Sequence, residues 1–172
     1  YYELYRLSGK GEEKFRAVMR NDNHNYIELA LTYMDAGLNE EADSILALAP
    51  DVNEPMVHYY RFFCTEDEAE LKKGEESSPL YCFPNRLEDI LPLTKAVECG
   101  GNYAAYYLGC LYYDKGLWEK SVALWEKVKD NIQLATVYRN LSLAYYNKLH
   151  NEEKAKIAME KAFSMDEGDA RV

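Results

Sequence analysis

The side chains of this sequence with the clearest chemistry are tyrosines and polar groups spaced along amphipathic stretches, and their chemistry is that of binding. Aromatic rings contribute contact area at little entropic cost, and amides can hydrogen-bond the backbone of an extended or helical peptide. The alternative, that these tyrosines pack on neighbouring helices, stays open. The candidates are Ile27, Leu31, Met34, Asp35, Tyr103, Tyr106, Cys110, Tyr113, Asp114, Thr136, Arg139, Asn140, Leu143, Tyr146 and Asn147.

No residues in the sequence form a recognisable catalytic arrangement. Carboxylate pairs such as Glu12/Glu13, Glu40/Glu41 and Glu152/Glu153 fall near expected helix starts, where they complement the helix dipole. The serines have none of the strand-turn-helix context that a nucleophile elbow needs, and no phosphate-binding glycine motif is present. We therefore expect no catalytic residues and no enzymatic activity within this chain.

The cysteines and histidines are scattered. Four cysteines stand at positions 64, 82, 99 and 110 without a C-x-x-C motif, and the histidines are His24, His58 and His150. Such spacing is not that of a zinc site. Free cysteines in a reducing cytoplasm are the better interpretation, and we expect neither a metal nor a cofactor.

The charge is strongly negative and unevenly distributed. The formal net charge is −10, and residues 21–60 hold eight acidic side chains and no Lys or Arg. Such a chain should repel a phosphate backbone, which argues against nucleic-acid binding. The acidic stretch is either a docking face for a basic partner or a solvated surface. No apolar run reaches the ~20 residues that span a bilayer, so no membrane association is expected.

The candidate binding residues lie within a repeated unit. Two stretches about 33 residues apart share one pattern, Tyr106-Tyr107-Leu108-Gly109-x-x-Tyr112-x-x-x-Gly116 and Tyr138-x-x-Leu141-Ser142-x-x-Tyr145. A third copy upstream contains Tyr26, Leu29, Ala30, Tyr33 and Gly37. Each copy precedes a second amphipathic run, with a small residue at Ala42, Ser121 or Ala155 where the two helices would approach. A helix-turn-helix unit of about 34 residues with this spacing is typical of the tetratricopeptide repeat.

The periodicity predicts an all-α chain, a right-handed α-solenoid of tetratricopeptide-type hairpins with about 10–11 helices. Thr65 with Glu68, and Asn85 with Glu88, are expected to cap helices, and Pro92 should kink or split the helix around it. Leu80, Tyr81 and Phe83 should pin a long irregular connection to the core. The expected helices are about 1–8, 11–20, 24–36, 39–49, 55–64, 66–73, 86–98, 102–115, 118–129, 131–148 and 152–164.

We interpret the chain as a single solenoid domain over 1–172. It comprises N-terminal helix pairs at 1–73, an irregular connection at 74–84 and C-terminal helices at 85–172 that hold the two best repeats. The final residues Asp169-Ala170-Arg171-Val172 look like the first turn of a further repeat, so we expect the chain to be a piece of a longer protein.

Beyond the generic tetratricopeptide repeat, the sequence resembles one particular protein family. The resemblance rests on Tyr81-Cys82-Phe83-Pro84-Asn85-Arg86-Leu87-Glu88-Asp89-Ile90, Tyr106-Tyr107-Leu108-Gly109, Tyr113-Asp114-Lys115, Ala123-Leu124-Trp125-Glu126, Arg139-Asn140-Leu141, Ala144-Tyr145-Tyr146-Asn147-Lys148 and Ala162-Phe163-Ser164-Met165-Asp166. These residues are similar to the C-terminal repeat region of a family of large bacterial proteins that carry an N-terminal β-rich domain of unknown function, related to sugar-processing folds. The resemblance implies a helical module of a multidomain bacterial protein. A short pair at 55–73 and Pro92 depart from the family pattern, which puts the regularity of the solenoid between about 51 and 100 in question.

Three roles follow as hypotheses. The first is a non-enzymatic cytoplasmic scaffold that binds a peptide or partner domain on the concave face lined by the first helix of each pair. The second is a structural arm that packs on the parent protein's own N-terminal domain, and the third is weak self-association of an otherwise monomeric chain. A clamp for a terminal carboxylate is rejected, because Tyr106 and Cys110 stand where Lys and Asn would be needed.

Overall fold

The structure, a computed structural model, describes residues 1–51, 53–80 and 82–166. Within these residues there are eleven α-helices and no strand, which confirms the all-α prediction. The chain divides into two compact units, Tyr1–Ser78 and Pro79–Val172. No helix in this part of the chain is long and apolar enough to cross a membrane. The expectations for Tyr81 and for the turn at Asp169–Val172 lie outside the described residues.

The first unit contains six helices joined by short turns. Consecutive helices from α3 to α6 pack against each other. Near the N-terminus, Phe15 and Tyr26 pack edge to face with ring centroids 5.9 Å apart. The helices are α1 (Tyr2–Ser8), α2 (Glu12–Met19), α3 (Asn23–Asp35), α4 (Asn39–Leu46), α5 (Pro55–Thr65) and α6 (Glu68–Glu76).

The second unit contains five helices, and each one from α7 to α11 packs against the next. Its core is built around Trp125, Leu141 and Tyr145 with the alanines of the last helix. Because the packed helices are neighbours in sequence, each hairpin buries the apolar stripes that its own sequence provides. The helices are α7 (Ile90–Glu98), α8 (Asn102–Asp114), α9 (Trp118–Val128), α10 (Ala135–Asn147) and α11 (Glu152–Met165).

Small residues allow the paired helices to approach closely, as the repeat pattern predicts. A Cβ added to Gly109 would lie 2.7 Å from Cδ1 of Trp125, which is far inside contact distance. The serines add hydrogen bonds at the same contacts. Ser121 Oγ donates to the Gly109 carbonyl at 2.7 Å, and Ser142 Oγ donates to the Ala155 carbonyl at 2.7 Å. The α8–α9 pair and the α10–α11 pair are therefore each joined by a serine hydroxyl.

Pro92 neither kinks nor splits its helix, so that prediction is wrong. The helix begins at Ile90, which places Pro92 in the first turn. The amide groups of a first turn have no acceptor within the helix, and the missing N–H of a proline is tolerated there.

Both predicted helix caps are also wrong. Thr65 is the last residue of α5, and Asp67 caps α6 by accepting from the Ala69 amide at 2.9 Å. The segment at 86–89 is not helical, and its turn is held by Asp89 rather than by Asn85 and Glu88. Asp89 Oδ2 accepts from the amides of Asn85 and Arg86 at 2.9 and 3.0 Å.

The irregular connection runs from Ser77 to Asp89, later than expected, because α6 continues to Glu76. Two of the residues predicted to pin it, Leu80 and Phe83, do not do so. Leu80 is 49% exposed and Phe83 is 73% exposed, whereas Cys82 is 6% exposed and Asp89, at the end of the connection, is 1% exposed.

Candidate functional site

A groove of about 470 Å³ lies within the second unit. One wall is the irregular segment that precedes α7, and the other is formed mainly by α8 and α10, the first helices of their pairs. The lining residues are Pro79, Leu80, Cys82, Phe83, Pro84, Asn85, Tyr106, Cys110, Asp114, Leu134, Thr136, Arg139 and Asn140.

The segment wall is apolar and exposed. Leu80 and Phe83 present large side chains to solvent beside the groove, and two prolines restrict the backbone on either side of them. Asp89, which is 1% exposed, ties down the end of the segment through its two backbone hydrogen bonds. The apolar wall is thus held in place at the point where it joins α7.

The helical wall is a connected set of polar groups. The Tyr106 hydroxyl lies 3.3 Å from Thr136 Oγ1, and either oxygen can serve as donor. The Tyr106 carbonyl accepts from Trp125 Nε1 at 3.1 Å. Arg139 Nη1 donates to Asn140 Oδ1 at 3.2 Å, and Asn140 Nδ2 donates to Cys110 Sγ at 3.8 Å. These contacts fix the side chains of two helices relative to each other.

The Cys110 thiol and the Tyr106 hydroxyl on this wall are neutral near pH 7. Burial raises the pKa of the Cys110 thiol to about 12, although hydrogen bonds with Tyr106, Trp125 and Asn140 oppose that shift. Burial also raises the pKa of Tyr106 well above its usual value, with a further contribution from Cys110. A thiol that stays protonated is a poor nucleophile, so Cys110 serves packing and hydrogen bonding.

Two charged side chains border the groove. Asp114 is exposed and pairs with Lys115 at 2.9 Å. Arg139 is half-buried, and within the described residues no carboxylate forms an ion pair with it. The only charge of the groove without a counter-charge in the described chain is therefore positive.

The groove brings together six of the residues expected on the binding face: Tyr106, Cys110, Asp114, Thr136, Arg139 and Asn140. Tyr103 packs against the core, and Tyr113 packs against Trp125 with ring centroids 5.8 Å apart. Leu143 is half-buried, while Tyr146 and Asn147 are exposed away from the groove lining.

The four candidates of the first unit do not share one environment. Ile27 is 2% exposed and belongs to the core, so its expected place on an open face is corrected. Leu31 and Met34 are half-buried and Asp35 is exposed. Ile27 is covered because it belongs to the buried stripe of α3, which consists of Asn23, Tyr26, Ile27 and Ala30 at the spacing of one helix face.

The irregular segment is the part of the groove that sequence reasoning missed. Leu80 and Phe83 were expected to pin the connection to the core and its prolines to oppose a helix, and none of them was expected to form a wall. The available signal was a cluster of large apolar residues in a stretch that cannot be helical, since such residues must either be buried or remain exposed at a surface.

Comparison with models of known protein families finds none that matches the chain. Among solved structures, the chain is similar to "Crystal structure of MamA", with 22% identity over 98% of this chain and 95% of that one, and a TM-score of 0.47. It is also similar to "YrrB: a TPR protein with an unusual peptide-binding site", with 19% identity over 95% and 96% of the two chains and a TM-score of 0.44. These scores are too low to decide the fold or function of this chain, which rest on its own helices and groove.

Proposed function

We propose that this chain is a non-enzymatic interaction module that binds a protein or peptide, and that the groove of the second unit is its binding site. The observation that carries this proposal is an exposed aromatic side chain, Phe83, facing a fixed polar wall on α8 and α10. Protein-binding sites combine an apolar anchor with a few placed polar groups, and ring burial supplies much of the affinity. The groove offers the same combination.

The absence of a working nucleophile on this wall supports binding over catalysis. Cys110 stays protonated near neutral pH, and the Thr136 hydroxyl contacts a tyrosine rather than a general base. The remaining lining groups are amide, guanidinium, carboxylate and apolar side chains. These are the groups that hold an extended chain through its backbone and side chains.

Phe83→Ala should weaken peptide binding by roughly tenfold, because truncating an aromatic anchor removes more than 1 kcal/mol of contact energy. Peptides would be selected from a displayed random 12-residue library on the full chain, then measured individually by fluorescence anisotropy. Phe163→Ala is the matched control, since Phe163 is 55% exposed on α11 and does not line the groove. Failure to select any binding peptide, or equal binding by both variants, would overturn the proposal.

Self-association is a second candidate, favoured by exposed apolar residues on α11. Ile157 is 60% exposed and Phe163 is 55% exposed on that helix. If copies of the chain meet there, light scattering should show a mass that rises with concentration, and Phe163→Ala should abolish the rise. A constant monomer mass up to millimolar concentration would exclude this role.

If the chain is instead a structural arm that packs on another domain of its parent protein, the peptide selection described above should yield no binding peptide.

A further inference from the structure

Arg139 has hydrogen-bond donors at the groove that its described contacts do not use. A guanidinium has five N–H donors in a planar fork, and the described contact of Arg139 is one hydrogen bond to its neighbour Asn140. Two other cations of this unit have electrostatic partners: Lys129 pairs with Glu126 at 2.7 Å, and Lys148 lies over the Trp118 ring. A half-buried arginine with spare donors beside a groove is suited to receive an acceptor from a ligand.

Among the described residues that line the groove, none supplies a counter-charge to the Arg139 guanidinium. Asp114, which also borders the groove, is exposed and neutralised by Lys115 at 2.9 Å. Tyr106 and Cys110 are neutral near pH 7, since burial raises the pKa of each. Among the described residues, Arg139 is therefore the charged group at the groove that has no opposite charge paired with it, although the chain as a whole carries a net charge of −10.

The ligand must also match the apolar wall. Phe83 and Leu80 expose large side chains on the side of the groove formed by the segment before α7. A chain-terminal carboxylate is typically captured by several converging donors, whereas this groove presents a single cation. An acidic side chain within a longer segment needs only that one guanidinium.

We propose that the groove recognises an internal acidic segment of a partner protein, with an Asp or Glu side chain on Arg139 and an adjacent apolar side chain against Phe83. This inference rests on the proposed function, because it names the ligand of the same groove. Arg139 binds the acidic side chain of the partner, and the groove wall formed by the irregular segment before α7 contacts the partner's apolar side chain. Asn140 holds the guanidinium through its hydrogen bond to Nη1.

The test uses pools of nonapeptides capped at both ends, with Glu or Gln at a fixed central position, Leu fixed two residues later and all other positions randomised. The Glu pool should bind the full chain about tenfold more tightly than the Gln pool, the range of a charge-assisted hydrogen bond. Arg139→Gln should abolish the preference, and Arg139→Lys should retain part of it. Lys127→Gln, which removes one exposed positive charge on α9 outside the groove, should leave it intact.

The outcomes separate this inference from the proposed function. Equal binding of the two pools, weakened in both by Phe83→Ala, would overturn the acidic preference and keep the groove as a peptide site. A preference that survives Arg139→Gln would overturn the role of Arg139. A Gln pool with a free C-terminus that matches the capped Glu pool would identify a chain end as the ligand and overturn the inference. If neither pool binds, the proposed function itself fails.

Discussion

Glu70→Ala should lower the free energy of unfolding of the first unit by about 3 kcal/mol, because it removes the buried carboxylate that the buried His58 and the half-buried Arg61 both contact. Glu70 is the centre of a network among three helices, and its side chain is 4% exposed. Its carboxylate lies 2.7 Å from His58 Nδ1, and it accepts from Arg61 Nη1 at 2.8 Å and from Lys73 Nζ at 2.7 Å. Urea denaturation followed by far-UV circular dichroism would measure the loss.

The destabilisation caused by Glu70→Ala should be confined to the helices that hold the network, and it should be smaller than if every ion pair of the network were lost. Arg61 keeps a second partner, Asp43 on α4, at 2.7 Å. Hydrogen exchange should therefore show lost amide protection in α5 and α6. The matched control is Glu76→Ala on the same helix, where an exposed pair with Lys72 at 3.6 Å contributes at most about 0.5 kcal/mol. Equal destabilisation by the two variants would contradict a central role for Glu70.

The contribution of the Glu70 network to the stability of the first unit should depend on pH in a definite direction. Burial would raise the pKa of Glu70, but hydrogen bonds from Lys73 and His58 and the charge of Arg61 outweigh burial and hold the pKa below its ordinary value of 4.5. A carboxyl group with a lowered folded-state pKa stabilises the fold above the unfolded value, and this stability is lost as the pH falls through the folded value. The difference between Glu70→Ala and the parent chain should thus persist above about pH 5 and shrink below pH 4.5.

Gly109→Ala should destabilise the second unit by about 2 kcal/mol, although alanine is the better helix former by about 1 kcal/mol. The added methyl group would overlap the indole of Trp125, which is 1% exposed and cannot move outward without breaking the core. The indole would also lose its hydrogen bond to the Tyr106 carbonyl. Both tryptophans, Trp118 and Trp125, lie on α9, so tryptophan fluorescence during urea unfolding reports this hairpin directly.

A double-mutant cycle tests the steric cause. Trp125→Phe alone leaves a cavity and removes one donor, whereas the smaller ring makes room for a methyl group at position 109. The double variant should be more stable than the sum of the two single changes by at least 1 kcal/mol. Additive effects would show that the glycine is needed for some reason other than contact with Trp125.

Local pattern was sufficient for the existence of the helices but not for all of their ends: the helix expected at 131–148 begins at Ala135, and the one expected at 39–49 ends at Leu46. The expected ranges 102–115 and 118–129 differ by one residue from α8 and α9, because an apolar stripe and a glycine turn are both visible in sequence. The caps were less predictable. Thr65 and Asp67 are equally suitable capping residues, and the choice between them depends on where α5 ends. The packing of α5, not its sequence alone, decides that end.

The sequence by itself determined the all-α fold and the pairing of consecutive helices, because these depend on contacts between elements adjacent in the chain. It also named six residues that line the groove, because they stand between the packing positions on the first helices of two repeats. Only the tertiary structure decided which residues of the irregular segment face the core. It covers Cys82 and exposes Phe83, and it buries Glu70 on α6, a helix in which six of the nine residues are charged. It also leaves Arg139 beside an open groove with one described hydrogen bond. These features depend on contacts between side chains of different helices and loops. The spacing of apolar residues within one helix does not specify those contacts.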